Sequence, residues 1–325
     1  AEAVAAQTMT SGCILVLDTS TAAVRASVSV PGYDPEDPAA SLQAENSPFL
    51  NRALESYAVG SVFKPVLAAA ALEADVLPIY ECTGAVVVDG QIFRCAGGVA
   101  HGEVDLAGAL AKSCNGYFIR LGQQLGAERM LALAQALGFG QGTELAEGLA
   151  ADAGQLPTAA ELASSGQLAN FSFGQGSLLA TPLQIAGMLN TLAADGVYRT
   201  PSFLVGTVDE STGEPLEALC HPAQQRVVSA QTAQTLRKML VQVVEEGTGQ
   251  DAAGLPGGAG GKTGTAQTGQ FTAEGEERKN LWFAGVYPAD KPRYTIVVLQ
   301  DGAEHPAFSS AAIFAQLCDA LPLAG

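Results

Sequence analysis

Apolar residues run unbroken from Cys13 to Leu17 (CILVL) and alternate with polar ones from Arg25 to Val30 (RASVSV), which predicts two strands joined by a turn around Asp18 to Thr21. Pro31-Gly32 ends the second strand, and Tyr33 to Pro48, rich in Pro, Asp, Glu and Ser, reads as a surface loop. The run Val86 to Phe93 (VVVDGQIF) sets Asp89-Gly90 between β-prone residues, a hairpin signal. The middle of the chain switches to helical spacing. Ala127 to Leu137 carries apolar residues on one face and stops at Gly138. Thr181-Pro182-Leu183-Gln184 supplies an N-cap, a first-turn proline and a capping-box glutamine for a helix running to about Ala194. Leu236, Leu240, Val243 and Val244 mark the buried face of another helix, ending at Gly247. Strand patterns return at Leu281 to Tyr287 and Tyr294 to Leu299, an antiparallel pair, and a last helix covers about Ala307 to Leu321. Strands at both ends around a helical middle predict an α/β (α+β) fold: one antiparallel sheet built from both termini and flanked by helices, with a helical subdomain, roughly residues 50–250, inserted.

Composition narrows the class. Of 325 residues, 48% are hydrophobic and 15% charged, which suits a globular body rather than a disordered chain. No apolar run reaches the ~18 residues of a membrane-spanning helix, and the opening AEAVAAQTMTSG is not built like a signal peptide. Sixteen basic against thirty-three acidic residues give a net charge of −17, which opposes nucleic-acid binding and adhesion to anionic lipid. An anionic substrate would need a local cation, and Lys262 is the candidate. The cysteines at 13, 82, 95, 114, 220 and 318 form no C-x-x-C pair, and His101, His221 and His305 are scattered, so zinc-ligand spacing is missing and neither a structural metal nor a cofactor is expected. Cys82 and Cys95 flank the predicted hairpin. They form a disulfide in an oxidising compartment or remain two reduced, half-buried thiols, and the sequence leaves both open.

Three short strings carry the chemistry. Ser61-Val62-Phe63-Lys64 reads S-x-x-K; on a helix, residues three apart share a face, so Ser61 and Lys64 can touch. A serine hydroxyl is a poor nucleophile until a base takes its proton, and a lysine amine can do so only if burial or nearby positive charge lowers its pKa. A helix start adds free N–H groups that stabilise developing negative charge, and Pro65 fits there. Ser113-Cys114-Asn115 reads S-x-N: a second hydroxyl to relay a proton and an amide to orient Lys64 and a substrate, with Cys114 a bystander. Lys262-Thr263-Gly264, followed by Thr265-Ala266-Gln267, reads as a strand entered from a glycine-rich loop. Lys262 and Thr263 would bind a carboxylate, and Gly264 would leave room for a substrate backbone. Taken singly, each string is as well explained by an ordinary N-cap, loop or strand end. Their conjunction in this order belongs to serine-acylating enzymes.

With these motifs and their flanks, NRALESYAVGSVFKPVLAAAALEA, HGEVDLAGALAKSCNGYFIRLG, FGQGSLLATPLQIAGMLNTLAADG and GKTGTAQ…NLWFAGVYPAD, residues 1–325 resemble a penicillin-binding protein transpeptidase domain, most similar to the monofunctional class B branch. The continuation Thr265-Ala266-Gln267 favours that branch. The resemblance implies Ser61 as nucleophile, Lys64 as its base, and Ser113 and Asn115 assisting proton transfer and substrate binding. It implies Lys262, Thr263, Gly264 and Thr265 as the substrate and β-lactam strand, with the backbone N–H groups of Ser61 and Thr265 as an oxyanion hole. It further implies a peptidoglycan stem peptide ending in D-Ala-D-Ala as donor, β-lactams as covalent inhibitors, and no metal. The family's membrane anchor and pedestal domain are expected outside this chain, in an extracytoplasmic parent working with a membrane glycosyltransferase and the cell-wall machinery. Two alternatives remain open: a D,D-carboxypeptidase or β-lactamase-type hydrolase, although no E-x-x-x-N string appears in the stretch where a class A β-lactamase would carry its deacylating base, and a penicillin-sensing domain without turnover.

Overall fold

The computed structural model describes residues 1–44, 46–146, 148–204, 206–217 and 224–321; Cys220 and His221 lie outside this set. Five strands form the main antiparallel sheet. They are β1 (Gly12–Asp18), β2 (Val24–Val30), β3 (Gly260–Phe271), β4 (Glu277–Tyr287) and β5 (Tyr294–Ala303), in the order β3-β4-β5-β1-β2. Both ends of the chain thus build one sheet, with β1 hydrogen-bonded between β5 and β2.

The unbroken CILVL run follows from burial on both faces. Cys13, Leu15 and Leu17 point into one core with Trp282, Val297 and Leu299, while Ile14 and Val16 point into the other with Phe283, Ile296 and Phe314. The second face is covered by the helix Ser310–Ala320 and by a short helix, Glu2–Thr8, that the sequence reading did not predict. The first face is covered by the helices Lys64–Ala74, Pro182–Ala193 and Ala230–Glu245.

Local signals placed several elements well. The helix Ala127–Ala136 stops before Gly138, and the helix Pro182–Ala193 carries the expected capping box between Thr181 and Gln184. The hairpin Ala85–Val88/Gln91–Arg94 turns at Asp89 (φ 46°) and Gly90 (φ 81°), the left-handed pair of a tight two-residue turn. The described residues of 33–48 lie mostly exposed, with one 3-10 turn at Pro38–Ser41. Trp282, in β4, pairs in register with Gly264 of β3 and is 1% exposed. Its indole N–H donates to Ala58 O at 3.0 Å, just before the turn that carries Ser61.

Candidate active site

Ser61 sits in a 3-10 turn, Gly60–Phe63, that runs directly into the helix Lys64–Ala74 with Pro65 in its first turn. Gly60 makes this turn possible. It has φ +65°, its N–H donates to Gly174 O at 2.8 Å, and a Cβ there would lie 2.6 Å from Thr265 O. The turn is therefore clamped against β3.

Ser113 lies between the helices Leu106–Ala111 and Asn115–Leu125. It adopts φ +54°, a left-handed conformation rare for a residue with a Cβ. Cys114 caps the second helix, its sulfur accepting from Tyr117 N at 3.5 Å.

The Lys64 amine reaches this corner from the helix below. Its Nζ lies 2.7 Å from Ser113 O, 3.1 Å from Ser113 Oγ and 2.7 Å from Asn115 Oδ1, and 5.4 Å from the centre of the Phe118 ring. Asn115 is itself fixed, its amide donating to Arg94 O at 2.8 Å. Lys64 is fully buried, and burial pushes its amine down from 10.5 to about 7, opposed by negative charge at Cys114 and Cys95. Sequence spacing suggested direct contact between Lys64 and Ser61. Among the described residues the amine's hydrogen bonds go instead to Ser113 and Asn115.

The K-T-G strand departs from expectation in two ways. Strand alternation turns Thr263, Thr265 and Gln267 toward the cleft, while Lys262 lies completely buried beneath and does not line it. Its Nζ donates to Thr263 O at 3.1 Å and contacts Thr263 Oγ1 at 3.4 Å; burial, then the charge of Lys64, hold its amine well below the usual range. Gly264 does not open space for a substrate backbone on its Cα side. A Cβ there would lie 2.9 Å from Val62 Cγ1 and 3.1 Å from Val62 N, so this glycine admits the Ser61 turn.

Ser61, Ser113, Asn115, Thr263, Gly264 and Thr265 line one cleft of about 810 Å³. Four contributors escaped the sequence reading. Thr248 meets Thr263, Oγ1 to Oγ1, at 2.6 Å; Asn170 lines the wall; Phe93 and Phe173 pack edge-on and give the cleft an apolar side. Thr248 stands between Gly247 and Gly249, a turn signal that could have drawn attention to it.

The cysteines also need correction. Cys82 and Cys95 are unbonded, with sulfurs 3.7 Å apart, and are fully buried rather than half-buried. Cys114 is no bystander: its sulfur lies 3.9 Å from that of Cys95, and His101 Nδ1 lies 3.4 Å from Cys82. The fold brings together four potential metal ligands whose wide spacing in sequence argued against a metal.

The family profile described as penicillin binding protein transpeptidase domain matches residues 12–319. The chain belongs to that family. It is 31% identical over 327 residues to the peptidoglycan D,D-transpeptidase PbpA of Mycolicibacterium smegmatis, covering 94% of this chain but 65% of the relative. Among solved structures it superposes on the D,D-transpeptidase domain of a peptidoglycan glycosyltransferase from Eggerthella lenta with a TM-score of 0.86 at 28% identity, covering 98% of this chain and 79% of that one. The imipenem acyl-enzyme of penicillin-binding protein A from Mycobacterium tuberculosis matches with a TM-score of 0.82 at 26% identity, covering 95% and 73%. These relatives place this penicillin-binding protein domain on the class B branch. No helix among its described residues is long and apolar enough to cross a membrane.

Proposed function

We propose that this domain is a serine D,D-transpeptidase that cross-links peptidoglycan stem peptides and is acylated by β-lactams. The observation that carries this reading is the environment of the Lys64 amine. A carbonyl oxygen and Asn115 Oδ1 can only accept hydrogen bonds. A neutral lysine has two N–H groups and one lone pair. With the N–H groups donated to Ser113 O and Asn115 Oδ1, the lone pair faces the Ser113 hydroxyl, which then donates to it. Lys64 and Ser113 thus form a proton relay opening on the cleft that Ser61 lines.

Ser61 Oγ attacks the penultimate carbonyl of a D-Ala-D-Ala stem while its proton passes into the relay. The tetrahedral oxyanion takes hydrogen bonds from the Ser61 and Thr265 backbone N–H groups. The amide C–N bond breaks, the relay returns a proton to the departing D-Ala, and an amine of a neighbouring stem attacks the ester to release Ser61. Thr263 offers its hydroxyl to the terminal carboxylate, held by Lys262 from behind and Thr248 from the side. The parent protein is proposed to work outside the cytoplasm, tethered to the membrane beside a glycosyltransferase. The greater length of the PbpA relative leaves room for such parts.

Intact-mass measurement after incubation with benzylpenicillin tests this. We expect a stable adduct on the wild type and none on a folded Ser61→Ala variant. An adduct persisting on that variant would remove Ser61 as nucleophile. Rapid adduct loss with drug consumed would identify a hydrolase, and saturating acylation with no reaction on any stem peptide a sensor.

A further inference from the structure

We propose that Cys82, Cys95, His101 and Cys114 bind one tetrahedral, thiophilic divalent cation of the zinc class, and that this ion positions Ser113 and Asn115. The four ligand atoms all lie within 4.8 Å of one another. Zinc bonds of about 2.3 Å to sulfur and about 2.0–2.1 Å to nitrogen, at tetrahedral angles, put two sulfurs about 3.75 Å apart and a sulfur and nitrogen about 3.55 Å apart. The observed separations are 3.7 Å for Cys82–Cys95, 3.9 Å for Cys95–Cys114 and 3.4 Å from Cys82 Sγ to His101 Nδ1. A disulfide would need sulfurs at about 2.05 Å.

The stoichiometry points the same way. A disulfide within this group uses two thiols and leaves a third beside it, with an imidazole aimed at the cluster for no purpose. A metal uses all four donors. The three cysteines are buried at 1%, 3% and 0% exposure, while His101 is half-buried and provides the route in from solvent. Four protein ligands fill a tetrahedral shell and leave no open position, so the site is structural.

Its location gives it a role. Cys82 ends the strand Tyr80–Cys82, Cys95 follows the hairpin strand Gln91–Arg94, and His101 precedes the strand Gly102–Val104. Cys114 stands between Ser113 and Asn115. One ion would tie the cleft-edge hairpin to both residues that hold the Lys64 amine, and would keep Ser113 in its left-handed conformation. This positioning role rests on the relay proposed above; the metal site itself does not.

The test begins with metal content by mass spectrometry, and thiol titration, of the whole protein purified without chelator. One zinc per chain is expected. Cobalt-loaded protein should show thiolate charge-transfer absorption and the intense visible bands of a tetrahedral site. Cys82→Ala touches neither Ser113 nor Asn115. It should lose the metal and slow the maximal benzylpenicillin acylation rate by about tenfold or more, with the drug's binding constant and the fraction of reactive protein little changed. Mere misfolding would lower that fraction instead. His101→Cys, which keeps four ligands, should retain the metal. Metal-free protein with free thiols and no cobalt spectrum, or a Cys82–Cys95 disulfide, would overturn the site; metal loss at unchanged rate would overturn the positioning role. Should Cys82→Ala fail to fold, wild-type metal content and His101→Cys decide. Metal content needs no activity, so failure here is distinct from failure of the Ser61 assignment.

Discussion

At the scale of single residues, the proposed chemistry turns on Lys64. A charged amine in this buried corner can donate but cannot take a proton. Because burial pushes it down to about 7, the neutral form prevails above that pH and the ammonium below it. Acylation by benzylpenicillin should therefore fall about tenfold per pH unit below about 7 and level off above it. A stopped-flow profile that stayed flat through neutrality would remove Lys64 as the base. Negative charge at Cys114 and Cys95 opposes the downward shift of the amine, so a change to either should move the midpoint. Short motifs singled out Ser61, Lys64, Ser113 and Asn115 in the sequence, and the fold gathers them at one cleft. Who touches whom was not legible there. That Lys64 engages Ser113 rather than Ser61, and that Lys262 lies under its strand, depends on packing between segments far apart in the chain.

At the scale of elements, glycines set how closely the Ser61 turn meets its neighbours. A Cβ on Gly174 would lie 1.9 Å from Gly60 O, inside any possible contact, at φ +84°. Gly174→Ala should cost at least about 1–3 kcal/mol in urea unfolding and slow acylation as the turn shifts. Gly213→Ala, also at positive φ but with open space around it, should cost less and leave acylation unchanged. Equal losses for the two variants would refute the clamp. Elements with local punctuation were readable in advance: Thr181 with Gln184, Asp89-Gly90, and Leu137 before Gly138. The helices around Ser113 were not, although Asp105, accepting from Gly108 N at 2.8 Å, is an N-cap signal in plain view. The cysteine cluster could not be read along the chain, because four separate segments each supply one ligand.

At the scale of the whole molecule, residues 12–30 and 260–303 close one sheet between two cores. β1, paired on both edges and buried on both faces, should exchange its amide protons slowest, with β5. The exposed hairpin at Val87 and Ile92 should exchange far faster. Hydrogen exchange read by mass spectrometry that found β1 as labile as that hairpin would contradict this architecture. The same sheet carries the chain's one tryptophan, Trp282, in register with Gly264 and hydrogen-bonded to the segment leading into Ser61. Its indole fluorescence, excited where tyrosine does not absorb, therefore has a single source, seated beside the K-T-G strand. Emission recorded while a ligand acylates Ser61 would report changes at this one seat, between the K-T-G strand and the segment leading into Ser61, with no label and no unmixing from other indoles.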